Sequence, residues 1–575
     1  MKPIIGIDLG TTNSEVAVIR DGQPFVISDA NGSLIVPSFV GISPGGEMVV
    51  GELARNQYVA APEQTIKSIK RKMGSEEQIS LGEQTYTPQE ISAFILRKLK
   101  SIASQFLGES IEQAVITVPA YFTDQQRQAT KDAGEIAGLD VVRILNEPTA
   151  AALAYGLQQQ EDQFLAVYDL GGGTFDVSII EINCGVVEVR ASRGDTELGG
   201  DDFDAALVNY IAEDFRQKHG IDLRENPRSL ARLTRAAEVA KIEMSDAPFA
   251  VIKEEFITTT QGKPLHLEIE IERSRFEDLI SDMLKSTIEC VHQALEDACV
   301  SADEIDKVLL VGGSTRIPQV SRMVEDVIHA QPHLEIDPDL CVAMGASVQA
   351  GITAGEPIDA VLVDVTPHSL GIEVAQWGIS GPVFDRYSVI IQRNTAIPVS
   401  KSEVYTTMTP DQQEVEIKVY QGEDETASQN TLLGEFMLEQ IKRTKRGQPN
   451  IIVNFDYDVN GIVHISAKDK KTNEERQITI TAAPSRLTES QKADATQRVA
   501  EVDFAWDPAP TDSHENVVVL LARAQQVARS LKDEADKNEL QELTDALSVA
   551  LGEHDKQAID ELEEELVDLL YELEE

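Results

Sequence analysis

The first 354 or so residues alternate between two hydrophobic patterns. Short apolar runs typical of buried strands are followed by amphipathic stretches typical of helices. Residues 114–118 precede a helical pattern over 124–138, and residues 307–311 precede one over 318–328. This alternation predicts an α/β region.

From Ser369 to Ala482 a period of two replaces the helical period. Val415, Ile417 and Val419 alternate with polar residues, so they share one face of a predicted strand. The pair Asn460-Gly461 lies between two apolar stretches and predicts a hairpin with a two-residue loop. The region is predicted to be an antiparallel β-domain of several short strands.

Beyond Pro484 the pattern is helical again, with a first helix predicted to begin after Thr488. Near the end, apolar residues recur at three-to-four spacing and predict a buried helical seam. They are Ile559, Leu562, Leu566, Leu569 and Leu573. Residues 484–575 hold 24 acidic and 8 basic residues, which we interpret mostly as the solvated faces of a small bundle.

Length and charge narrow the class of protein. A chain of 575 residues predicts several domains, and a hydrophobic fraction of 42% argues against general disorder. The net charge of −48 argues against nucleic acid or anionic membranes as partners, because phosphate contacts need clustered Lys and Arg. There is no secretory-leader pattern and no membrane-spanning apolar run, so we expect a cytoplasmic protein. The four cysteines lack metal-site spacing and are expected to be buried thiols.

A motif near the N-terminus returns near residue 170. Residues 7–13 read Ile-Asp-Leu-Gly-Thr-Thr-Asn, and residues 168–174 read Tyr-Asp-Leu-Gly-Gly-Gly-Thr. Each copy ends a strand with Asp and turns through Gly and Thr, which lets backbone N–H groups approach an anion. One such hairpin is usually an ordinary turn, but a duplicated pair favours two phosphate clamps that face each other. The candidate phosphate-binding residues are Gly10, Thr11, Thr12, Asn13, Gly171, Gly172, Gly173 and Thr174.

A third glycine turn follows the strand predicted at 307–311. It contains Gly312, Gly313, Ser314 and Arg316 and opens a helix. With the other two turns it indicates a nucleotide site. Glu238, Lys241 and Ser245 have helical spacing and could face the nucleoside, although from their spacing alone a solvated helix face is the better explanation.

These motifs resemble those of the DnaK-type seventy-kilodalton heat-shock chaperones, within the actin and sugar-kinase ATPase superfamily. The resemblance is carried by residues 6–14, 118–122, 146–151, 169–176 and 312–318, and extends into the β-domain through 364–372, 421–423 and 460–469. It covers essentially the whole chain. It implies an actin-like α/β ATPase domain of two ribonuclease H-like lobes (1–358), a linker (359–366), a β-sandwich peptide-binding domain (367–482) and a C-terminal helical lid (483–575).

The resemblance also implies residue roles. Asp8 and Asp169 would hold Mg²⁺ through water and organise monovalent cations, with K⁺ expected. Lys70 would reach the γ-phosphate and Glu147 would place the attacking water, with Thr174 as a further catalytic residue, and Asp339 would belong to the nucleotide site. From the sequence alone, Glu147 could instead hold a strand–helix junction.

Peptide-binding and coupling positions are implied in the same way. The aliphatic pocket would be formed by Ile372, Val374, Tyr405, Val415, Ile417 and Ile451, with Ala375 and Met408 arching over the peptide. For the apolar residues in this set, the alternative is that they are ordinary core residues of the β-sandwich. Coupling would involve Pro119, Arg127, Arg143 and Asp364, with Arg143 contacting a J-domain partner.

Three departures resemble shorter bacterial members of the family. The linker is not leucine-rich, residues 73–88 lack a segment, and the predicted lid is short. Because a short lid should close less fully, we expect faster peptide release. The leading interpretation is an ATP-dependent chaperone that binds extended apolar peptides, with a J-domain co-chaperone and an exchange factor as partners. A nucleotide-regulated holdase and, less consistent with the β-domain, a small-molecule kinase are the alternatives.

Overall fold

The computed structural model describes residues 3–157, 162–260, 263–333, 337–358, 360–379, 381–439, 441, 450–469, 475–479, 487–502 and 504, and scattered positions between 537 and 566. The chain divides into two compact units. The first consists of residues 1–27 and 36–504, and the second of residues 28–35 and 505–575. Among the described helices, none is long and apolar enough to cross a membrane.

The first lobe is built on a mixed sheet. Its elements are β1 (Ile4–Leu9), β2 (Asn13–Arg20), β3 (Gln23–Val26), β4 (Val36–Pro37), β5 (Val40–Ile42), β6 (Met48–Val50), α1 (Glu52–Tyr58), β7 (Thr65–Ile66), β8 (Ile79–Leu81), β9 (Gln84–Tyr86), α2 (Pro88–Leu107), β10 (Gln113–Val118), α3 (Asp124–Ile136), β11 (Asp140–Asn146) and α4 (Glu147–Gly156). The main sheet has the order β11-β10-β1-β2-β3, with β4 paired to β2. Apolar residues of α2 and α3 pack against it and form its core.

The second lobe repeats this plan. Its elements are β12 (Gln163–Leu170), β13 (Phe175–Asn183), β14 (Val186–Asp195), α5 (Gly200–His219), α6 (Pro227–Asp246), β15 (Phe249–Thr260), β16 (Lys263–Glu272), α7 (Arg273–Ala298), β17 (Lys307–Val311), α8 (Pro318–Ile328), β18 (Pro332–His333), α9 (Cys341–Ala354) and β19 (Val361–Val365). β12 is parallel to β17 and antiparallel to β13, as β1 is to β10 and β2.

Helices α4 and α9 lie between the two main sheets and share a third core with them. Both are predominantly apolar and buried along most of their length, as expected for helices without a solvated face. A Cβ on Gly345 of α9 would lie 1.7 Å from the Ala150 carbonyl oxygen of α4, so only glycine allows this approach.

A β-sandwich follows the second lobe. Its elements are β20 (Leu370–Gly378), β21 (Gly381–Ile391), β22 (Ala396–Ile397), β23 (Val399–Thr406), β24 (Val415–Gln421), β25 (Thr431–Leu438), β26 (Asn450–Tyr457), β27 (Val463–Asp469) and β28 (Glu475–Thr479), and helix α10 (Glu489–Glu501) comes after it. The two sheets have the orders β21-β20-β24-β25 and β23-β26-β27-β28. As predicted, Ile417 and Val419 face the sandwich core, and Val415 packs at its margin.

Two sequence predictions are corrected here. The Asn460-Gly461 hairpin exists, but Asp458 and Ile462 are already hydrogen-bonded across it, so its loop has three residues rather than two. Gly461 supplies the left-handed residue of this loop, with φ +71°. All four cysteines are free, but Cys184 and Cys299 are exposed, because each occupies a left-handed turn position at the surface.

In the second unit, residues 28–35 form a turn in which Asp29 accepts hydrogen bonds from the backbone of Asn31 and Ser33. Leu562 and Leu566 of the predicted seam are helical, and Leu566 is buried. The remaining seam positions, Ile559, Leu569 and Leu573, lie outside the described residues, as does linker residue Asp359.

Candidate functional site

The two glycine turns predicted to face each other are in contact. A Cβ on Gly172 would lie 1.9 Å from the Thr12 hydroxyl oxygen, and one on Gly173 would lie 2.6 Å from the Thr11 methyl group. In each copy a carboxylate precedes the turn, Asp8 at the end of β1 and Asp169 near the end of β12. The repeat therefore forms a pseudo-symmetric cleft whose walls are backbone amides and hydroxyls.

A buried ion pair lies at the base of this cleft. The Lys70 ammonium donates to the Glu147 carboxylate at 2.5 Å, and both side chains are almost completely buried. Burial raises the pKa of Glu147 to about 7, although Lys70 opposes the shift. Asp8 accepts a hydrogen bond of 2.8 Å from the Thr117 hydroxyl, and burial raises its pKa as well. The predicted catalytic groups thus converge on one water-poor site.

Sequence reasoning missed two further carboxylates. Glu15 is the cross-strand partner of Asp8, and Asp176 is the partner of Asp169, so each turn carries an acid on both sides. Asp176 accepts backbone hydrogen bonds from Ala120 and Tyr121 at 3.0 and 3.1 Å. Aligning the two copies of the repeat places Glu15 at the position of Asp176, which was the available signal.

The start of α5 was also missed. Gly200 and Asp201 donate backbone hydrogen bonds to the carbonyls of Gly171 and Gly172 at 3.0 and 2.7 Å. A Cβ on Gly199 would lie 2.5 Å from the Gly173 nitrogen. The N-terminus of α5 therefore contacts the second glycine turn, at residues 171–174, where the helix dipole favours an anion. The Gly-Gly-Asp sequence ahead of a helical pattern was the signal.

The third glycine turn joins the same cleft. Ser314 donates to the Gly171 carbonyl at 3.0 Å, and Gly312 adopts φ +81°. Arg316 donates to Asp339 at 2.7 Å, and a Cβ on Gly313 would lie 3.2 Å from that carboxylate. The predicted nucleotide residues of this turn are thus brought together.

The predicted nucleoside-facing residues lie on α6 in the second lobe. Lys241 pairs with buried Asp204 at 2.9 Å and donates to the Gly200 carbonyl at 3.3 Å. Ser245 donates back to the Lys241 carbonyl, and Glu238 is half-buried one turn earlier. Lys241 therefore reaches the cleft through α5, whereas the Ser245 hydroxyl is bonded within α6 and the Ser245 carbonyl accepts from Arg273 of α7.

A buried polar chain leaves the cleft beside Pro119. Arg127 donates to the Ala120 carbonyl at 2.8 Å and to the Asn146 side chain at 2.7 Å. Asn146, the residue before Glu147, donates in turn to Asp364 in β19 at 2.9 Å. Two of the predicted coupling positions, Arg127 and Asp364, are therefore linked through Asn146, which directly precedes Glu147 of the buried ion pair. Arg143 is half-buried near this chain, and its positive charge opposes the rise in the pKa of Asp364 that burial causes. Within the described part of the chain its Nε atom has no hydrogen-bond partner.

The sandwich is docked on the lobes around this chain. β19 pairs in parallel with β14 and antiparallel with β22. Asp124 accepts from the Val463 backbone at 2.8 Å, and the His368 ring donates to the Tyr121 carbonyl at 3.1 Å. At another point, Asp297 binds both Arg193 and Arg393. The nucleotide cleft and the sandwich are thus linked through buried polar contacts.

The predicted peptide pocket divides into two groups. Ile372, Ile417 and Ile451 are buried in the sandwich core, whereas Val374, Tyr405 and Val415 pack at its margin. The two arch positions, Ala375 and Met408, are half-buried. The marginal group and the arch are therefore the part of this set that a peptide could reach.

A model of the Hsp70 protein family matches residues 4–80 and 75–575. The chain belongs to the Hsp70 family. Hsp70 proteins are ATP-dependent chaperones that bind unfolded polypeptides, and they are ATPases that bind ATP and ADP. This Hsp70 therefore has the function, fold and enzyme class predicted from its sequence, and it acts on polypeptides together with co-chaperones.

Proposed function

We propose that this Hsp70 couples ATP hydrolysis at Lys70 and Glu147 to docking of its peptide-binding domain. The supporting observation is the polar chain in which Arg127, Asn146 and Asp364 are hydrogen-bonded in sequence. Because Asn146 directly precedes Glu147, a shift of the catalytic carboxylate moves the contact with the linker strand. The boundaries 1–358, 359–366, 367–482 and 483–575 belong to this proposal.

Mg²⁺ fits the charge of the cleft. Four buried carboxylates, Glu15, Glu147, Asp169 and Asp176, and the half-buried Asp8 lie within reach of one another's charge, and the Lys70 ammonium faces them. Among the described residues no three His, Cys, Asp or Glu side chains are placed to chelate a metal alone. Asp8 and Asp169 would therefore hold Mg²⁺ through water beside the phosphates, with K⁺ as a further counter-ion. When bound, Mg²⁺ would neutralise charge on the phosphate oxygens.

In this proposal the chain's own groups position the reactants. The glycine turns cradle the phosphates with backbone N–H groups, and Lys70 donates to the γ-phosphate. Glu147, with a pKa of about 7, orients the attacking water and can accept its proton. Arg316 and Asp339, with Lys241, Glu238 and Ser245, form the nucleoside side of the cleft.

The sandwich would bind an extended apolar peptide through strand-like main-chain hydrogen bonds and one aliphatic pocket. Val374, Tyr405 and Val415 would line its mouth, above the buried Ile372, Ile417 and Ile451. We also propose a J-domain protein and an exchange factor as the co-chaperones, with the J-domain near Arg143. Two exposed free cysteines support a reducing compartment, the cytoplasm.

Single-turnover ATP hydrolysis tests the proposal. We expect apolar peptide to stimulate hydrolysis in the wild type, and Lys70→Ala to lose about a hundredfold or more of the rate, as for other lost transition-state donors. Lys72→Ala is the matched control, because Lys72 lies in the same turn but is exposed and pairs with Glu77. Unchanged hydrolysis in Lys70→Ala would contradict the assignment.

The same experiment separates the alternatives. A holdase would show nucleotide-dependent peptide affinity without hydrolysis in the wild type. A kinase would place the phosphate on an added sugar rather than in solution. Val415→Phe tests the pocket separately, since a larger side chain at its mouth should block peptide and leave basal hydrolysis intact.

A further inference from the structure

The hairpin of β20 and β21 extends beyond the sheet that it belongs to. β24 pairs with β20 only over Leu370 to Ile372, whereas β20 and β21 remain paired as far as Gly378 and Gly381. Among the described residues no strand pairs with the β24 side of β20 beyond Ile372. We call residues 376–379 and 381–384 the ribbon tip.

Large apolar side chains are exposed on the ribbon tip. Trp377 is 67% exposed, Phe384 63% and Ile379 fully exposed. Trp377 pairs with Pro382 across the hairpin, and Phe384 lies two residues after Pro382, so these three share one face. A soluble protein rarely leaves so much aromatic surface uncovered on a short segment unless it binds something.

The base of the ribbon is fixed to the sandwich. Asp385 forms a bulge at φ +61° and accepts hydrogen bonds from the backbone and hydroxyl of Ser428 at 2.8 and 2.7 Å. Arg386 pairs with Glu425 next to it. The exposed face therefore has a defined direction relative to the peptide pocket.

The position of the ribbon tip next to the proposed peptide pocket indicates what it binds. Ala375, the arch position, precedes Trp377 by two residues in β20, so the arch and the aromatic face lie on one side of the ribbon. No Lys or Arg occurs between Glu373 and Phe384, which argues against an anionic partner. An unpaired strand edge with apolar side chains beside it suits an extended apolar polypeptide.

We propose that the ribbon tip is a second contact for client polypeptides, which holds the apolar segment that leaves the pocket beneath the arch. This rests on the proposed peptide pocket. Trp377 and Phe384 would cover apolar client side chains, and the free edge of β20 would supply main-chain hydrogen bonds. Clients with a longer apolar stretch would then bind more tightly than the pocket alone allows.

Two peptides test this in the full chain with ADP. A seven-residue apolar peptide fills the pocket only, and a longer one adds apolar residues at either end. Trp377→Ser/Phe384→Ser should weaken the long peptide about tenfold, consistent with losing part of two aromatic contacts, and leave the short peptide unchanged. Val239→Ser/Ile242→Ser on α6, with similar exposure in the second lobe, is the matched control and should change neither.

Equal losses for both peptides, or none, would overturn the proposal. Val415→Phe should abolish binding of the short peptide, and if it does not, the pocket assignment fails while the ribbon result still stands by itself.

A second measurement uses Trp506→Phe, which leaves Trp377 as the only tryptophan. Its emission should shift to shorter wavelength with the long peptide and not with the short one. No shift, or a blue-shifted emission before peptide is added, would overturn the proposal.

Discussion

Glu15 shows how the duplicated hairpin places charge at the scale of single residues. Glu15 in β2 is the cross-strand partner of Asp8 in β1. Its side chain is 2% exposed and lies in the cleft with several other acidic side chains. Burial, and then the charge of Asp8, raises the pKa of Glu15 well above its ordinary value, which favours the neutral form.

Glu15→Gln should therefore leave ATP hydrolysis nearly unchanged, because the amide has the size and neutral charge of the protonated acid. Glu15→Lys should reduce ATP turnover strongly, since it places a second ammonium next to Lys70 and Asp8. Steady-state kcat and KM for ATP measure both effects. A large loss in Glu15→Gln would show that the ionised carboxylate is needed.

Gly461 connects backbone conformation to docking. Its φ of +71° favours glycine, and a Cβ there would lie 3.1 Å from the Arg127 guanidinium. Gly461→Ala should therefore cost about 1 kcal/mol in the loop and displace Arg127 as well. We expect weaker docking, measured as slower ATP-induced peptide release, with basal hydrolysis retained.

Gly22→Ala is the control for this prediction. Gly22 has φ +80° with open space around its Cβ position, so the substitution carries the same backbone cost without a docking contact. If both variants slow peptide release equally, the Arg127 contact has no specific role.

The sequence predicted these residues unevenly for a physical reason. Asp8, Asp169 and the glycines lie in local turns, where spacing along the chain determines the geometry. Glu15 faces the cleft because of cross-strand pairing, and Gly461 contacts Arg127 across more than 300 residues of chain. Local chemistry was therefore predictable, whereas the partner of each group depended on packing.

At the scale of elements, helix α10 illustrates the same division. Its start at Thr488 was predicted, and a capping box with Gln491 confirms it. Its docking on the first lobe was not predicted. Lys492 pairs with Asp132 at 3.1 Å and Glu135 at 2.8 Å, and Arg498 donates to buried Glu90.

Lys492→Met should release α10 from the first lobe, because it leaves buried Asp132 without its cation. We expect faster hydrogen exchange across 489–501 and little change in the stability of the lobe core. Asp494→Asn, on the exposed face of the same helix, is the control. Combining Lys492→Met with Asp132→Asn should restore part of the hydrogen-exchange protection of α10. If the double variant exchanges as fast as Lys492→Met alone, the Lys492–Asp132 contact does not hold the helix.

The positions of the strands were predicted more accurately than the strands that each of them pairs with. The period of two identified β24, and the segment predicted as the interdomain linker contains a strand, β19 (Val361–Val365). Its parallel pairing with β14, between Val186 and Val361, joins positions 175 residues apart. Hydrophobic periodicity carries no information on such non-local pairing. In the structure this strand of the predicted linker joins the second lobe to the sandwich, because it pairs with β14 on one side and with β22 on the other.

At the scale of the whole molecule, the net charge of −48 makes docking depend on a few well-placed cations. Asp297 of the second lobe binds Arg193 of its own lobe and Arg393 of the sandwich at 2.8 and 2.7 Å. Two acidic bodies can therefore associate because their interface is locally neutral. A new positive charge in this balanced interface should weaken docking.

His368 provides such a charge when the pH falls. Its ring packs against the Tyr121 ring, with their centroids 4.2 Å apart. Burial lowers the pKa of His368 from 6.5 to about 4; the hydrogen bond to Tyr121 and the charge of Glu423 oppose this shift, and Arg127 and Arg193 add to it. Because the docked form has the lower pKa, docking is fully favoured above pH 6.5 and weakens as the pH falls towards 4. From pH 7.5 to 5.5 the docking constant should fall about tenfold. The pH dependence of docking is measured by hydrogen exchange of β19 in the presence of ATP, with the rates corrected for intrinsic exchange at each pH. His368→Gln keeps an N–H donor without titrating and should remove the pH dependence; an unchanged pH profile in that variant would assign the effect to another group.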